Sequence, residues 1–495
     1  MNDIPRKKLI ELVDKHGPSL CNDPGRLEGL LRDFCSGYQK EIFILVAALK
    51  QHVCEDLITQ PASVSTENRI RGLIVRLCEN LGLSDDAARW AVVSWAIALN
   101  VISPVNQLPF LEKHTGGRGN VHERRQKRGR KKKERPYLSV IVSPDGEGQF
   151  TTIQSAIHGA PIGARIFVRP GIYRENLIIE KPLEIIGEGR PTEVILESKD
   201  QPCIVVRAGR SVVHGLTIRQ VIDTTSHSSP AIVIQKGDST LEDSIISPAQ
   251  IGIVLQGGTK TTPSIRRCRI SGAAETGISV NPKCGGFIED CILIGNTRGI
   301  QNVGSSGVFI RHCAISRGHI GVEIGNKGML TIEDCEIAEN TYAGIAIHEA
   351  GNPVIRRCTI SKGQFGVEIT DHGKGILENV QISNNAQGVL ISRLGDPSIQ
   401  RCILHHNQFG IRVTLNGKGL IEDTDILENE FAGISIKEGG NPSIRRCKIT
   451  KNGDVGIWIH KSGLGTLERN DVSGNKKGAF YIEAGSQVKR RANQE

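Results

Sequence analysis

The sequence predicts an all-β solenoid of about a dozen coils, joined to a separate N-terminal α-helical bundle. Glycine recurs every 22 or 23 residues from Gly277 to Gly478. Cysteine recurs in step with it, at positions 268, 291, 313, 335, 358, 402 and 447. A fixed period of this length is typical of a solenoid, in which each unit buries its apolar face against its neighbours. Each unit reads approximately I-x-x-C-x-I-x-x-N-x-x-x-G-I-x-I, which is too short and too β-rich for a helical repeat.

Length and composition exclude several classes of protein. At 495 residues the chain is too long for one ordinary domain. No apolar run reaches the length of a membrane span. The N-terminal segment MNDIPRKKLIELVDKHG carries charges where a signal peptide needs an apolar core. We therefore expect a cytoplasmic protein of bacterial type with no membrane span.

The cysteines are expected to be reduced and buried. In stacked parallel coils, in-register side chains point the same way, so neighbouring thiols do not face each other as a disulfide requires. No C-x-x-C pair occurs in the sequence, which argues against a metal site. We predict no metal and no cofactor.

Residues 1–112 are predicted to form a bundle of four or five α-helices. Leu27, Leu30, Leu31 and Phe34 recur at helical spacing, and the segment 42–49 is strongly apolar. Asp85 and Asp86 suit the first turn of a last long helix, because acids there complement the helix dipole.

Residues 113–136 are predicted to be a basic, disordered linker. The segment 115–136 contains ten Lys or Arg and only two Glu, a net charge of +8 in a chain of net charge +9. We expect a solvated spacer, with nonspecific nucleic-acid or acidic-surface contact as the alternative. No aromatic residue interleaves with the charges, so base stacking is not supported. The contact residues would be Arg124, Arg125, Lys127, Arg128, Arg130, Lys131, Lys132, Lys133 and Arg135.

Residues 137–484 are predicted to form the solenoid, and residues 485–495 a basic C-terminal tail. A short helix near Thr152–Ile157 would close the open end of the first coil. Two residue ladders are expected to be structural. One alternates Glu and Arg on successive coils, as at Arg266 and Glu289. The other is an inward asparagine ladder that includes Asn407 and Asn429.

Two segments carry a family resemblance. D-G-x-G-x-F-T-T-I-Q-x-A-I at 145–157 and P-G-x-Y-x-E-N at 170–176 resemble the first turns of pectin methylesterases and of many right-handed parallel β-helix proteins. Later repeats, such as GNPVIRRCTISKGQFGVEI, resemble the sugar-binding/hydrolase-type repeats of copper-site maturation β-helices and of β-helical F-box proteins. The resemblance implies a right-handed parallel β-helix. Residues 1–102 resemble a helical module of bacterial multidomain proteins.

The motifs that the chemistry of these families would need are missing. The Q-D-T-L-like and D-F-I-F-G-like segments of pectin methylesterases do not occur after Gly187. The W-x-D-H pattern of pectate lyases and the N-T-D, D-D, G-H-G and R-I-K patterns of polygalacturonases are also absent from this part of the chain. The resemblance therefore supplies a fold and assigns no catalytic residue.

One cluster of polar residues is a candidate site. His348 and Glu349 lie one coil before Asp371 and His372, and Arg393 follows on the next coil. Two carboxylates about 5 Å apart, flanked by imidazoles, could bind a cation or share a proton. The alternative is a polar stack of turns on the solvent side.

From these features we expect a non-catalytic binding or scaffold protein that presents the β-helix surface to a partner protein or a glycan. The scarcity of exposed aromatic residues favours a protein partner. The first alternative is a carbohydrate-active enzyme of lyase, esterase or hydrolase type, acting in a groove around the His348 cluster. The second is a nucleic-acid-associated protein that uses the basic linker.

Overall fold

The structure is a computed structural model in which the chain divides into two compact units, residues 1–130 and 131–495. The residues it describes are 4–16, 20–21, 23–35, 38–59, 70, 72–74, 76–77, 85–99, 101, 139–221, 229–258 and 261–495. The predicted linker, including all nine basic contact residues, lies outside the described residues.

The first unit is helical, as the sequence predicts. Its described helices are α1 (Ile4–His16), α2 (Pro24–Cys35), α3 (Gln39–Lys50), α4 (Val53–Thr59) and α5 (Asp85–Ala98). Trp95 is fully buried, and its indole Nε1 donates a hydrogen bond of 3.0 Å to the Leu45 carbonyl. Two apolar residues of the predicted stripes are exposed instead, Phe34 and Phe43. Phe34 lies beneath the Lys8 ammonium group, at 4.2 Å from the ring centre.

The second unit is a right-handed parallel β-helix whose coils pass through three sheets in turn. Every strand pair is parallel. Sheet 1 has 16 strands: Ser139–Val142, Arg165–Val168, Glu184–Gly187, Val212–His214, Thr240–Glu242, Ser264–Arg266, Gly285–Glu289, Ser305–Arg311, Met329–Glu333, Val354–Arg356, Ile376–Glu378, Ser398–Gln400, Leu420–Glu422, Ser443–Arg445, Leu464–Glu468 and Gln487–Arg491.

Sheet 2 follows sheet 1 within each coil and has 13 strands: Gly171–Arg174, Val194–Ser198, Thr217–Gln220, Ile245–Ile246, Arg269–Ser271, Ile292–Ile294, Ala314–Ser316, Glu336–Ala338, Thr359–Ser361, Gln381–Ser383, Ile403–His405, Asp425–Leu427 and Lys448–Thr450.

Sheet 3 completes each coil and has 14 strands: Leu177–Ile179, Ile204–Val206, Pro230–Ile234, Ala249–Leu255, Ala273–Val280, Arg298–Asn302, Ile320–Ile324, Ala343–Ile347, Phe365–Ile369, Gln387–Ile391, Phe409–Val413, Ile434–Ile436, Ile457–Ile459 and Phe480–Ile482. A short 3₁₀ helix, Pro191–Glu193, precedes one strand of sheet 2.

The solenoid has about 15 coils, a few more than predicted. The first coils precede the glycine and cysteine ladders, so the repeat count from those residues misses them. At the other end, the strand Gln487–Arg491 pairs with Leu464–Glu468. Residues 487–491 therefore belong to sheet 1, and the β-helix continues past the predicted boundary at residue 484 into the segment that we expected to be a tail.

A short helix, α6 (Ile153–Gly159), closes the first coil close to the predicted position. Thr152 is its N-cap and accepts a hydrogen bond from the Ser155 amide. The Glu175 carboxylate, from the next coil, accepts hydrogen bonds of 2.9 Å from the amides of Ile153 and Gln154. The first-turn amides, which no helical carbonyl can reach, are thereby satisfied.

Repeated asparagines line the inside of one corner in most of the later coils, and Gly318 and Gly363 take this position in two of them. The Asn407 side-chain amide donates to Asn429 Oδ1 at 3.1 Å, and Asn429 donates to Asn452 Oδ1 at 2.9 Å. The cysteines of the ladder are buried, free thiols. For example, Cys402 Sγ lies 3.5 Å from the Leu377 carbonyl oxygen. Both ladders are part of the packed interior.

Ion pairs stack on the outer face of sheet 1. Glu289 is only 5% exposed and pairs with Arg266 on the preceding coil and Arg311 on the following one. Arg356 and Glu378 repeat the arrangement at 2.9 Å. Opposite charges on adjacent strands stabilise the sheet, so this ladder has a structural role. No described helix is long and apolar enough to cross a membrane.

Candidate functional site

The predicted polar cluster lies in the turns that join sheet 3 to sheet 1. Glu349, Asp371 and Arg393 occupy the same position in three successive turns, each with a positive φ of 45–49°. Arg393 approaches Asp371 at 3.7 Å, whereas Glu349 accepts a hydrogen bond from the Asn326 amide. His372 is exposed. These residues form a stack of turns at the edge of sheet 3.

His348 leaves this stack and reaches the outer face of sheet 3. Its Nε2 lies 3.5 Å from Glu323 Oε1, and its Nδ1 lies 3.9 Å from Glu349 Oε2. The bond to Glu323 raises the pKa of His348 above its ordinary value. The ring fits because residue 325 is glycine: a Cβ there would lie 2.6 Å from His348 Cε1.

Glu323 is a half-buried carboxylate held by three partners. Arg298 Nε lies 2.7 Å from Glu323 Oε2, and Gln301 donates to the same oxygen at 2.8 Å. Burial disfavours the ionised form of Glu323. The hydrogen bond from His348, the Arg298 charge and the Gln301 amide together outweigh burial and lower the pKa of Glu323.

Glu368 lies on the same face two coils further on, with a different environment. Burial raises the pKa of Glu368, and the Tyr342 hydroxyl, which donates to Glu368 Oε1 at 2.9 Å, opposes that rise only in part. Burial and the bond to Glu368 raise the pKa of Tyr342 to about 12. Glu368 is therefore the carboxyl group of this face that holds its proton to higher pH.

A small residue separates the two carboxylates. The strand register places Ala346 between Glu323 and Glu368 in one outward column of sheet 3. At a strand spacing of about 4.8 Å, the Cα atoms of the two glutamates are about 9–10 Å apart. Ala346 and Phe365 belong to a buried apolar patch on this outer face. The site therefore consists of two carboxyl groups with an apolar floor between them.

Aromatic rings border this floor on one side. The ring centres of His319 and Tyr342 are 5.3 Å apart, and those of Tyr342 and Phe365 are 5.2 Å apart. Phe365 is buried and meets Tyr342 edge-on, so these rings pack against one another and support the apolar floor.

The sequence analysis missed both glutamates, although a signal for them was present. The segment G-V-E-I occurs twice, at 321–324 and 366–369, each time beginning with a glycine of the ladder. In the intervening coil the glutamate position holds Ala346, and in the next it holds Leu390. A glutamate that recurs two coils apart in an otherwise mostly uncharged column is the sequence signal that indicates this site.

A further group of His214, Glu242 and Asp243 lies on sheet 1 with its ligand atoms close together. Arg267 contacts Glu242 at 3.1 Å and Asp243 at 2.7 Å. The Arg267 guanidinium group already pairs with both carboxylates, so these residues form an ion-pair cluster like the others on sheet 1.

The family comparison agrees with the fold. The family described as "right handed beta helix region" matches residues 202–318, 299–419 and 398–494, more than half of the chain. The chain therefore belongs to this family of right-handed β-helix proteins.

Individual relatives match smaller parts of the chain. It is 26% identical over 223 residues to the pectinesterase/pectinesterase inhibitor 18 of Arabidopsis thaliana, covering 43% of this chain and 35% of that protein. It is 42% identical over 82 residues to the F-box only protein 10 of Mus musculus, covering 16% and 8% respectively. The chain thus spans about a third or less of the length of these two relatives.

Among solved structures, the A-module of the mannuronan C-5 epimerase AlgE6 of Azotobacter vinelandii is similar in fold. It aligns with a TM-score of 0.40 and 13% identity, covering 69% of this chain and 92% of that module.

These comparisons correct the functional expectation from the sequence. The prediction of a non-catalytic binding or scaffold protein is wrong, because the relatives that match the longest stretches of the chain are pectinesterases. The missing esterase, lyase and polygalacturonase motifs counted against an enzyme in the sequence analysis, although they exclude only those particular active sites. The comparison favours the alternative, a carbohydrate-active enzyme.

Proposed function

We propose that the β-helix is a carbohydrate-active enzyme that hydrolyses a glycosidic bond at the outer face of sheet 3. The observation that carries the proposal is the pair Glu323 and Glu368, which share one face and have pKa values displaced in opposite directions. Paired carboxyl groups whose environments separate their pKa values are the usual acid and base of glycoside hydrolysis.

The roles follow from the directions of the two pKa shifts. Glu368, whose pKa is raised, is the acid that donates its proton to the glycosidic oxygen as the bond to the anomeric carbon breaks. Glu323, whose pKa is lowered, is the base that takes a proton from the water attacking the opposite side of that carbon. Inverting glycosidases use carboxyl groups about 6.5–9.5 Å apart. Two outward side chains whose Cα atoms are about 9–10 Å apart can bring their carboxyl groups within that range by leaning toward each other over Ala346.

The supporting residues act on the two carboxyl groups. His348, Arg298 and Gln301 keep Glu323 ionised and oriented. Tyr342 orients Glu368 through its hydroxyl group. Hydrolysis of the glycosidic bond also agrees with the absence of the pectin methylesterase segments from this chain.

The experiment measures release of reducing ends from a panel of plant, algal and bacterial polysaccharides by the full chain. We expect the variants Glu323→Gln and Glu368→Gln each to lose activity about 100-fold or more. Glu336→Gln is the matched control, because Glu336 is an exposed glutamate on sheet 2 of the intervening coil. NMR of the first product should show an inverted anomeric configuration. Activity that survives both substitutions would refute the assignment.

A further inference from the structure

The outer column that contains Glu323 and Glu368 continues along sheet 3 toward the C-terminus. The strand register places Leu390, Arg412, Ser435 and Trp458 after Glu368, one residue for each coil. At about 4.8 Å for each coil, Arg412 lies about 10 Å and Trp458 about 19 Å beyond Glu368. One straight row thus links the acid and base to a second group of side chains.

Arg412 differs from the paired arginines of sheet 1. Its guanidinium carbon lies 4.1 Å from the centre of the Phe409 ring, and Phe409 packs against Phe431 at 5.1 Å. Its Nε is buried and has no hydrogen-bond partner among the described residues. The stacked Phe409 ring therefore holds the guanidinium group in place.

The nearest acidic side chain does not form an ion pair with the Arg412 guanidinium group. Glu438 is the carboxylate that acts on Arg412 through its charge. Its oxygens are engaged by the Thr414 hydroxyl at 2.7 Å and by the Lys437 ammonium at 3.0 Å. Burial lowers the pKa of Arg412, and an external anion at its free edge would compensate this cost.

Two neighbouring polar atoms are also without partners. Gln387 Oε1 and Trp458 Nε1 are buried and make no hydrogen bond among the described residues. The Trp458 ring stacks on His460, with 4.0 Å between ring centres, and His460 in turn contacts the Ser435 hydroxyl at 3.3 Å. Arg412 and Trp458 are both half-buried and lie in the same outward column, so a guanidinium group and an indole ring are available to one ligand on this face.

From these contacts we infer that Arg412, Phe409 and Trp458 form a subsite for a sugar residue that carries a negative charge, as a carboxylate or a sulfate. A guanidinium edge binds either group through two parallel hydrogen bonds, and a half-buried indole is suited to a sugar ring. The substrate is then a linear anionic polysaccharide that lies parallel to the solenoid axis and spans both groups. This inference rests on the proposed function, because the row begins at the acid and base.

The test is binding to an array of linear oligosaccharides of three kinds: carboxylated, sulfated and neutral. The protein is the full chain with Glu368→Gln, so that bound oligosaccharides stay intact. We expect retention of charged chains, with the carboxylated and sulfated spots identifying the anion, and little retention of neutral ones. Arg412→Gln in the same background should weaken binding of the retained chain about tenfold or more.

The control variant is Lys418→Gln, which removes the same charge from an exposed position in the same coil. Trp458, which has no other tryptophan near it in the solenoid sequence, provides a second measurement. Its fluorescence should change with the charged chains, and Trp458→Phe should abolish the change. Equal retention of neutral chains, no retention at all, or equal effects of the two charge variants would overturn the subsite.

The two proposals fail in different ways. If charged chains bind through Arg412 but the wild-type chain cleaves none of them, the subsite stands and the hydrolase assignment falls. If neutral chains are cleaved and Arg412→Gln changes nothing, the assignment of Glu323 and Glu368 stands and the subsite falls.

Discussion

At the scale of single residues, Glu323 and Glu368 have the same side chain and opposite environments. Three polar partners surround Glu323, whereas Glu368 is buried with one tyrosine hydroxyl as its hydrogen-bond donor. Activity should therefore rise with pH as Glu323 ionises, at a pH below the usual range, and fall as Glu368 ionises, at a pH above it. The expected profile of kcat/KM against pH is a broad bell.

Replacing the tyrosine should move one side of that bell. The Tyr342 hydroxyl lowers the pKa of Glu368, so Tyr342→Phe should raise that pKa and shift the alkaline limb to higher pH. The acidic limb should stay in place. A profile of kcat/KM for the variant and the wild type measures both limbs, and a shift of the alkaline limb to lower pH would contradict the assignment of Glu368 as the acid.

Replacing the histidine should move the other side. His348 lowers the pKa of Glu323, so His348→Gln should raise it and shift the acidic limb to higher pH. His312→Gln, in an exposed turn after sheet 1, is the control. Gly325→Ala should resemble His348→Gln, because the added methyl group would occupy the space of the His348 ring. An unmoved acidic limb would remove His348 from the site.

At the scale of the structural element, the asparagine ladder links successive coils at one corner, without a break from Asn385 to Asn475. Asn429 Oδ1 accepts hydrogen bonds from the amide of Asn407 and from its side chain, at 3.0 and 3.1 Å. The Asn429 side chain itself donates to Asn452. Each rung therefore satisfies buried donors of the preceding coil, and the ladder is stronger than its separate bonds suggest.

Removing one rung should be costly. Asn429→Ala leaves the buried backbone amide of Asn407 without an acceptor and removes one of the acceptors of its side-chain amide. We expect a loss of about 1–3 kcal/mol in the free energy of unfolding. Asn352→Ala, at an exposed turn position, should cost little. Urea denaturation of both variants measures the difference. A loss below about 1 kcal/mol for Asn429→Ala would mean that water enters the corner.

The cysteines of the ladder should not react with thiol reagents in the folded protein. Burial raises the pKa of Cys402 to about 11 and that of Cys447 to about 12, and the thiolate is the reactive form. A thiol reagent at pH 8 should label these two residues only after denaturation, and peptide mapping would show this. Rapid labelling in the native state would indicate that the coils open.

At the scale of the whole molecule, the features of the fold that follow from the repeat could be predicted from the sequence. The parallel coils, the buried ladders and the closing helix are confirmed, because each depends on local spacing. The coil count was low because the first coils lack glycine and cysteine markers. Phe34 and Phe43 were placed inside the helical unit although they are exposed, since spacing alone does not show which flank of a helical stripe meets a neighbour.

The site was harder to predict for a physical reason. Glu323 and Glu368 are 45 positions apart in the sequence, and only the strand register shows that they share a column. Their roles depend on burial and on Tyr342, Arg298 and His348, whose contacts cannot be read from the sequence. His348 was predicted with its turn neighbours, but its partner across the coils was missed.

The closing helix should determine how the solenoid begins. Glu175→Ala removes the acceptor of two first-turn amides of α6, and we expect a loss of about 1–3 kcal/mol in stability, with faster hydrogen exchange in the first coils. Glu180→Ala, which removes an exposed carboxylate paired with Arg207, is the control. Exchange that accelerates uniformly along all coils would show that the β-helix unfolds as one unit instead.

The constant rise of the coils has a consequence for how such an enzyme can change. A duplicated unit of about 22 residues inserted between Leu390 and Arg412 would leave the acid and base untouched and move Arg412 about 4.8 Å farther along the axis. Insertion of a single residue would instead turn side chains to the opposite face. Gain and loss of whole coils is therefore the route by which relatives of this chain can acquire sites for polymers of different charge spacing without rebuilding the catalytic pair.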